Sequence, residues 1–247
     1  RRQRQMCIRD RLLTDINEPP KKYQGDFLKL SVDDINGVIN AAEGMDCIIN
    51  LSVLRHDRKL AFDVSTKGNY SMMNAAKIHN IKRVINTGPH FQMLGQSYEE
   101  WDFNLNPEMP PQPGTRLYAI SKFLGQEIAE RYSDYFGINL ITLLYYNMRH
   151  HYDLTTPNEE KTVLHNDMVP FTTSWIDCGE AVRCAVEIDK SKLESNSETF
   201  FISPMPPHNK FNSSKTFNVL GWRPRYTLEN LWTKKIKKSN NHIEDSY

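Results

Sequence analysis

The sequence has no glycine-rich phosphate loop. Its 11 glycines never fall into a G-x-G-x-x-G or G-x-x-x-x-G-K pattern, so no segment announces itself as a backbone cradle for a phosphate. No apolar run approaches the roughly 18 residues of a membrane helix, so no membrane span is expected. The four cysteines, Cys7, Cys47, Cys178 and Cys184, lack metal-ligand spacing and are too sparse for a disulfide framework. No metal site is expected, and a reducing, cytoplasmic setting fits best. Basic stripes interleaved with aromatics are missing too. The net charge is +1, but residues 1–10 hold four Arg against one Asp, and the remainder is slightly acidic, which argues against a nucleic-acid partner. The lysines of "TKKIKK" (233–238) read as a solvated tail. No internal repeat is found.

The chain does contain a regular alternation of short apolar runs and helical periods. "LLTDI" reads as a strand ending in an acid, followed by a Pro-Pro loop, and "GDFLKL" reads as a second extended piece. In "SVDDINGVINAAEG", Ser31 and Asp34 form a capping-box pattern ahead of a helix that Gly44 closes. "MDCIINLSV" is a continuous apolar strand of the kind covered by helices on both faces. A helix "KGNYSMMNAAKIHN", a strand "KRVINTG", a long Pro/Gly loop, a helix "TRLYAISKFLGQEIAERYSDYF" and a strand "NLITLLYY" follow. Strands separated by helices predict right-handed crossovers and a doubly wound, Rossmann-like parallel α/β sheet. Beyond about residue 150, "SWIDCGEAVRCAVEI" reads as a helix capped near Asp177, "ETFFIS" as a strand, and "LGWRPRYTLENLW" as a turn and terminal helix. These predict a small C-terminal lobe at the sheet edge.

The head, "RRQRQMCIRD", has neither an apolar core nor an amphipathic period. Its ten residues coincide in order with the translation of a widely used transposase sequencing adapter. Residues 1–10 are therefore expected to be an adapter artefact. The expected organisation is a Rossmann-like domain over 11–149, a small C-terminal lobe over 150–236 and a flexible tail over 237–247.

Tyr118 and Lys122, in "YAISK", stand one helical turn apart and project from one face. An ammonium beside a phenol favours the phenolate, so the pair is suited to moving a proton to or from a substrate hydroxyl while hydride moves to or from a nicotinamide. With the flanking "RVINTGPH" and "FGINLITLLYY", the chain from about residue 11 to about 234 resembles the extended short-chain dehydrogenase/reductase superfamily. Within it, the chain resembles the NAD-dependent epimerase/dehydratase group, and "TGPH" and "LYAISKFLG" are most similar to uronate dehydrogenases.

The resemblance implies an NAD-dependent oxidoreductase acting on a sugar acid or nucleotide sugar, as dehydrogenase, epimerase or dehydratase. Tyr118 is then the acid/base, and Lys122 binds the nicotinamide ribose. Asp15 receives the adenosine ribose hydroxyls, with Ile16 beside it offering no arginine for a 2′-phosphate, so NAD is favoured over NADP. Asp26 and Phe27 resemble the adenine contacts, while Leu51 and Ser52 pass under the nicotinamide side. Gly88 takes the position of the family serine. This leaves Thr87 or His90 to orient the substrate oxygen, with Asn147 and Arg149 also on the substrate side. Ser65 and Tyr145 depart from the family pattern. The adjacent His150 and His151 do not read as a metal site. The resemblance further implies that a first strand and its glycine-rich loop precede the strand ending in Asp15, that a chain without them binds NAD weakly, and that the protein forms a homodimer. The competing reading is a non-catalytic NAD-binding relative serving as sensor or scaffold.

Overall fold

The computed structural model describes residues 11–54, 57–92, 104–150, 172–204 and 210–226. Two short strands, β1 (Leu12–Asp15) and β2 (Asp26–Lys29), form a parallel pair. Helix α1 (Ile35–Ala41) leads to β3 (Cys47–Asn50). Helices α2 (Arg58–Phe62) and α3 (Gly68–Ile78) are joined by a π-helical turn over Asp63–Lys67. Strand β4 (Arg83–Pro89) ends in a 3₁₀ turn, His90–Gln92. The long helix α4 (Leu117–Phe136) precedes β5 (Asn139–Tyr145) and β6 (Asn147–Arg149). Strand β7 (Thr172–Ser174), helix α5 (Trp175–Glu187) and strand β8 (Ser197–Ile202) follow.

The main sheet is parallel throughout, in the order β3-β4-β5-β8. Strands β4 and β5 are almost wholly buried, as expected for central strands covered on both faces. Alternation along β4 separates the two layers. Val84 packs with Met72, Met73, Ala76 and Ala129 of α3 and α4. Ile85 packs with Cys178, Ala181 and Ala185 of α5 and with Trp222. The doubly wound expectation is met by this two-faced burial. The β1–β2 pair is not hydrogen-bonded to the main sheet. It is joined through α1, which packs on α3, and the His79 ring lies 2.9 Å from the Ile39 carbonyl.

Two caps differ from expectation. Helix α1 starts one turn later than the Ser31 pattern suggested, with the Asp34 carboxylate accepting from the Gly37 amide at 3.1 Å. Ser31 instead donates to Asp33, because the turn closed by the Asp34 amide on the Ser31 carbonyl draws its hydroxyl away from the helix. Helix α5 is capped by Ser174, whose hydroxyl accepts from the Asp177 amide at 3.0 Å. The Asp177 carboxylate is fully buried and accepts from the backbone amides of Arg225 (2.9 Å) and Tyr226 (3.2 Å). The Asp177 carbonyl receives the Trp222 indole N–H at 2.9 Å. One residue thus clasps the 222–226 segment onto α5.

Burial raises the thiol of Cys178 to about 12 and that of Cys47 to about 11. A group whose pKa rises on folding stabilises the fold fully below its unfolded value, 9.0, and that contribution disappears as pH climbs through the folded values. Denaturant midpoints are therefore expected to fall between pH 9 and 12 in the wild type. The fall should be shallower in a Cys178→Ala variant.

Candidate functional site

Helix α4 begins beside the carboxyl ends of the strands and runs antiparallel to them. Its register follows from a hydrogen bond between Gln126 and Asn86. Gln126 accepts from the Asn86 amide at 2.9 Å and from the Thr142 hydroxyl at 2.9 Å, and it donates to Glu130 at 2.9 Å. Burial pushes the Glu130 carboxyl up, opposed by the Gln126 bond. Asn86 accepts from the Asn50 amide at 3.0 Å, and the Asn50 side-chain oxygen accepts from the Ser52 hydroxyl (2.6 Å) and amide (3.1 Å). This buried polar network links β3, β4, β5 and α4, and sequence reasoning did not find it. Nothing in the local spacing marks Asn50, Asn86, Gln126 and Thr142 as neighbours.

The network ends at Lys122. Its ammonium is buried and donates to the carbonyls of Ser52 (2.7 Å) and Thr87 (3.4 Å), at the carboxyl ends of β3 and β4. Tyr118, half-buried, lies one turn nearer the helix start. The expected pair therefore sits where ligands of open parallel sheets bind, outside the carboxyl ends of the strands. Ser121 contacts the buried Ser65 of the π turn at 3.4 Å, which tightens α4 on its neighbour just before Lys122.

The structure sorts the other expected residues. Asp15 is exposed at the carboxyl end of β1 and accepts from the Asn17 amide (2.8 Å) and side chain (3.2 Å). Ile16, Leu51 and Val53 are exposed apolar groups following β1 and β3. Asp26 and Phe27 do not join Asp15. The β1–β2 register sets them opposite Leu12 and Leu13, at the amino ends, about 10 Å back along the strand. The carboxyl end of β2 offers Ser31 and Asp33 instead.

Thr87 is also directed elsewhere. Its hydroxyl donates to the Asn50 carbonyl at 2.8 Å, and alternation sends its side chain to the sheet face opposite α4. His90 is buried, its ring stacked on Tyr146 with centroids 4.0 Å apart and edge-on to Phe211 at 5.4 Å. Asn147 donates to the Thr172 hydroxyl at 3.2 Å, tying β6 to β7. Arg149 pairs with Ser174 and is half-buried, while His150 is exposed. His151 lies outside the described residues, as do residues 1–10 and the tail.

Among the described residues no cluster of three or more His, Cys, Asp or Glu is placed to hold a metal ion. No described helix is long and apolar enough to cross a membrane. The site does fit a dinucleotide. An exposed carboxylate stands at the end of β1, a fixed ammonium at the ends of β3 and β4, and the exposed apolar side chains that follow β1 and β3 suit flat rings.

Comparison with known proteins agrees with this geometry. A sequence model of the NAD dependent epimerase/dehydratase family matches residues 3–164. No curated protein matches the chain in sequence. Among solved structures, a uronate dehydrogenase from Agrobacterium tumefaciens is 18% identical with a TM-score of 0.68, over 90% of this chain and 77% of that one. A glucuronic acid dehydrogenase from Chromohalobacter salexigens is 17% identical with a TM-score of 0.68, over 94% and 81%. UDP-glucose 4-epimerase from Thermotoga maritima, solved with UDP-glucose, is 14% identical with a TM-score of 0.66, over 88% and 86%. At such identities the likeness is one of fold.

Proposed function

The chain belongs to the NAD-dependent epimerase/dehydratase family, and from that premise we propose that it oxidises a hydroxyl of a sugar acid or nucleotide sugar, with Tyr118 as acid/base. The observation that carries this reading is the fixed Lys122 ammonium one turn from Tyr118 at the carboxyl ends of the strands.

NAD, when bound, supplies the hydride acceptor. Asp15 is placed to receive ribose hydroxyls, and Lys122 to hold the second ribose and favour the Tyr118 phenolate. Tyr118 then takes the proton of the substrate hydroxyl as the carbinol carbon becomes a carbonyl. The two carbonyls that hold Lys122 keep its ammonium from wandering, so positioning costs nothing at the moment of reaction. Residues 150–236 would shape the sugar side. The Leu124, Tyr135 and Phe136 side chains, exposed on α4, support a homodimer through that helix.

The test is absorbance at 340 nm with NAD and glucuronate, galacturonate, UDP-glucuronate or UDP-glucose, using protein expressed from its full reading frame. NADH formation with a uronate supports a dehydrogenase. A converted nucleotide sugar without net NADH supports an epimerase or dehydratase. NADH binding measured by fluorescence, with no product from any of these compounds, sinks the catalytic reading in favour of a sensor or scaffold.

A further inference from the structure

Oxidation of a hydroxyl, or reduction of the resulting carbonyl, leaves charge on one oxygen. That oxygen needs a donor besides the acid/base to hold it during transfer. Neither nearby candidate from β4 provides one: the Thr87 hydroxyl is committed to Asn50 across the sheet, and Gly88 has no side chain.

Gly88 nevertheless marks the place. It lies two residues beyond Asn86, so it faces α4 as Asn86 does. Two strand residues advance about 6.6 Å, and four helical residues retreat about 6 Å. Moving from the Asn86–Gln126 contact to Gly88 therefore brings the strand level with Lys122, with Tyr118 the next turn along. A Cβ at Gly88 would meet the Gln92 side-chain oxygen at 1.9 Å and its amide carbon at 2.7 Å. The Gln92 carboxamide thus folds back from the 3₁₀ turn into the space that the glycine leaves open. The turn itself packs on α4. Gln92 is 1% exposed, and its Nε2 has no hydrogen-bond partner among the described residues. A buried, unpaired amide costs stability, and such a cost suits a group held ready for a ligand.

We propose that Gln92 is a catalytic residue that donates its side-chain amide to the reacting oxygen of the sugar, in the position where Gly88 offers no hydroxyl. The inference rests on the oxidoreductase reading above. It makes the Gly88–Gln92 pair a unit: the absence of a side chain at one position admits the long amide from the other.

The experiment compares Gln92→Leu, Gln92→Ala and Gly88→Ser/Gln92→Ala with wild type and Tyr118→Phe, on whichever sugar of the panel above is turned over. Gln92→Leu is expected to lower kcat/KM by about 10²-fold, with NADH affinity within about twofold and a melting temperature equal to or above wild type, since a buried unpaired amide is removed. The Gly88→Ser/Gln92→Ala protein is expected to recover at least about tenfold of that loss over Gln92→Ala, by supplying a hydroxyl in the vacated space. Wild-type kcat/KM in Gln92→Leu, beside an inactive Tyr118→Phe, overturns the inference and leaves the oxidoreductase reading standing. A lowered melting temperature with parallel loss of NADH affinity makes Gln92 a packing residue and overturns it too, as does a serine that restores nothing. No turnover by wild type on any sugar of the panel defeats the underlying reading, and this inference with it.

Discussion

Tyr118→Phe is expected to reduce kcat by at least about 10²-fold while leaving NADH affinity and melting temperature near wild type. The change removes one hydroxyl from a half-buried ring and leaves the helix, the Lys122 ammonium and its two carbonyl partners in place. A half-exposed side chain that loses only its hydroxyl falls among substitutions that shift stability by about half a kcal/mol or less. Lys122 cannot take over as acceptor for the substrate proton, because its ammonium is a donor already directed at backbone oxygen. Steady-state kinetics alongside NADH fluorescence titration separates the effects. A fall in kcat without a change in NADH affinity assigns the proton to Tyr118. Unchanged kcat removes Tyr118 from the chemistry and directs attention to the binding-protein reading.

The second large effect concerns a single methyl group. Gly125→Ala is expected to destabilise the protein by about 2 kcal/mol net. A Cβ at this position of α4 would meet the Ser65 carbonyl oxygen at 2.2 Å and the Asn69 amide nitrogen at 2.7 Å. The first of these atoms is backbone, in the π turn, and it already accepts from the Asn69 side chain at 2.7 Å, so it cannot move aside without disturbing that bond. Overpacking of this kind costs about 3 kcal/mol. Helix propensity returns about 1 kcal/mol for replacing a mid-helix glycine by alanine, so the clash wins. Gly179 in α5 is the control, since a Cβ there meets nothing within 4 Å, and Gly179→Ala should raise stability by up to about 1 kcal/mol. Urea denaturation of both variants checks the pair. A Gly125→Ala protein as stable as Gly179→Ala would mean that α4 does not approach the π turn this closely. Because α4 carries Tyr118 and Lys122, Gly125→Ala is also expected to lower kcat/KM although it lies three residues beyond Lys122 and about two turns from Tyr118.

Which features were legible beforehand follows from the range over which each is encoded. The strand and helix alternation and the one-turn spacing of Tyr118 and Lys122 depend on residues within one turn or one strand, and the structure shows both. The caps of α1 and α5 were nearly legible. Asp34 and Ser174 took over because carboxylates and hydroxyls at neighbouring positions compete for the same amides, and the turn at Ser31 and the clasp at Asp177 settled that competition. Asp26 and Phe27 stand at the amino end of β2 and not level with Asp15, because which residues of β2 reach that level depends on how β2 slides against β1, which only the pairing with Leu12 and Leu13 specifies.

The sequence by itself determined the doubly wound class and placed Tyr118 and Lys122 one turn apart on one helix, because hydrophobic periodicity and spacing within a helix are local; the family came from the resemblance of whole segments. The tertiary structure alone decided what surrounds that pair. It turned Thr87 to the far face, put the Gln92 amide into the space beside Gly88, seated α4 on the Ser65 carbonyl at Gly125, and strung Asn50, Asn86, Gln126 and Thr142 into one network. Each of these depends on strand register, on which pleat faces which helix, and on how far one helix is pressed against another. Those quantities are set by packing between residues far apart in the chain.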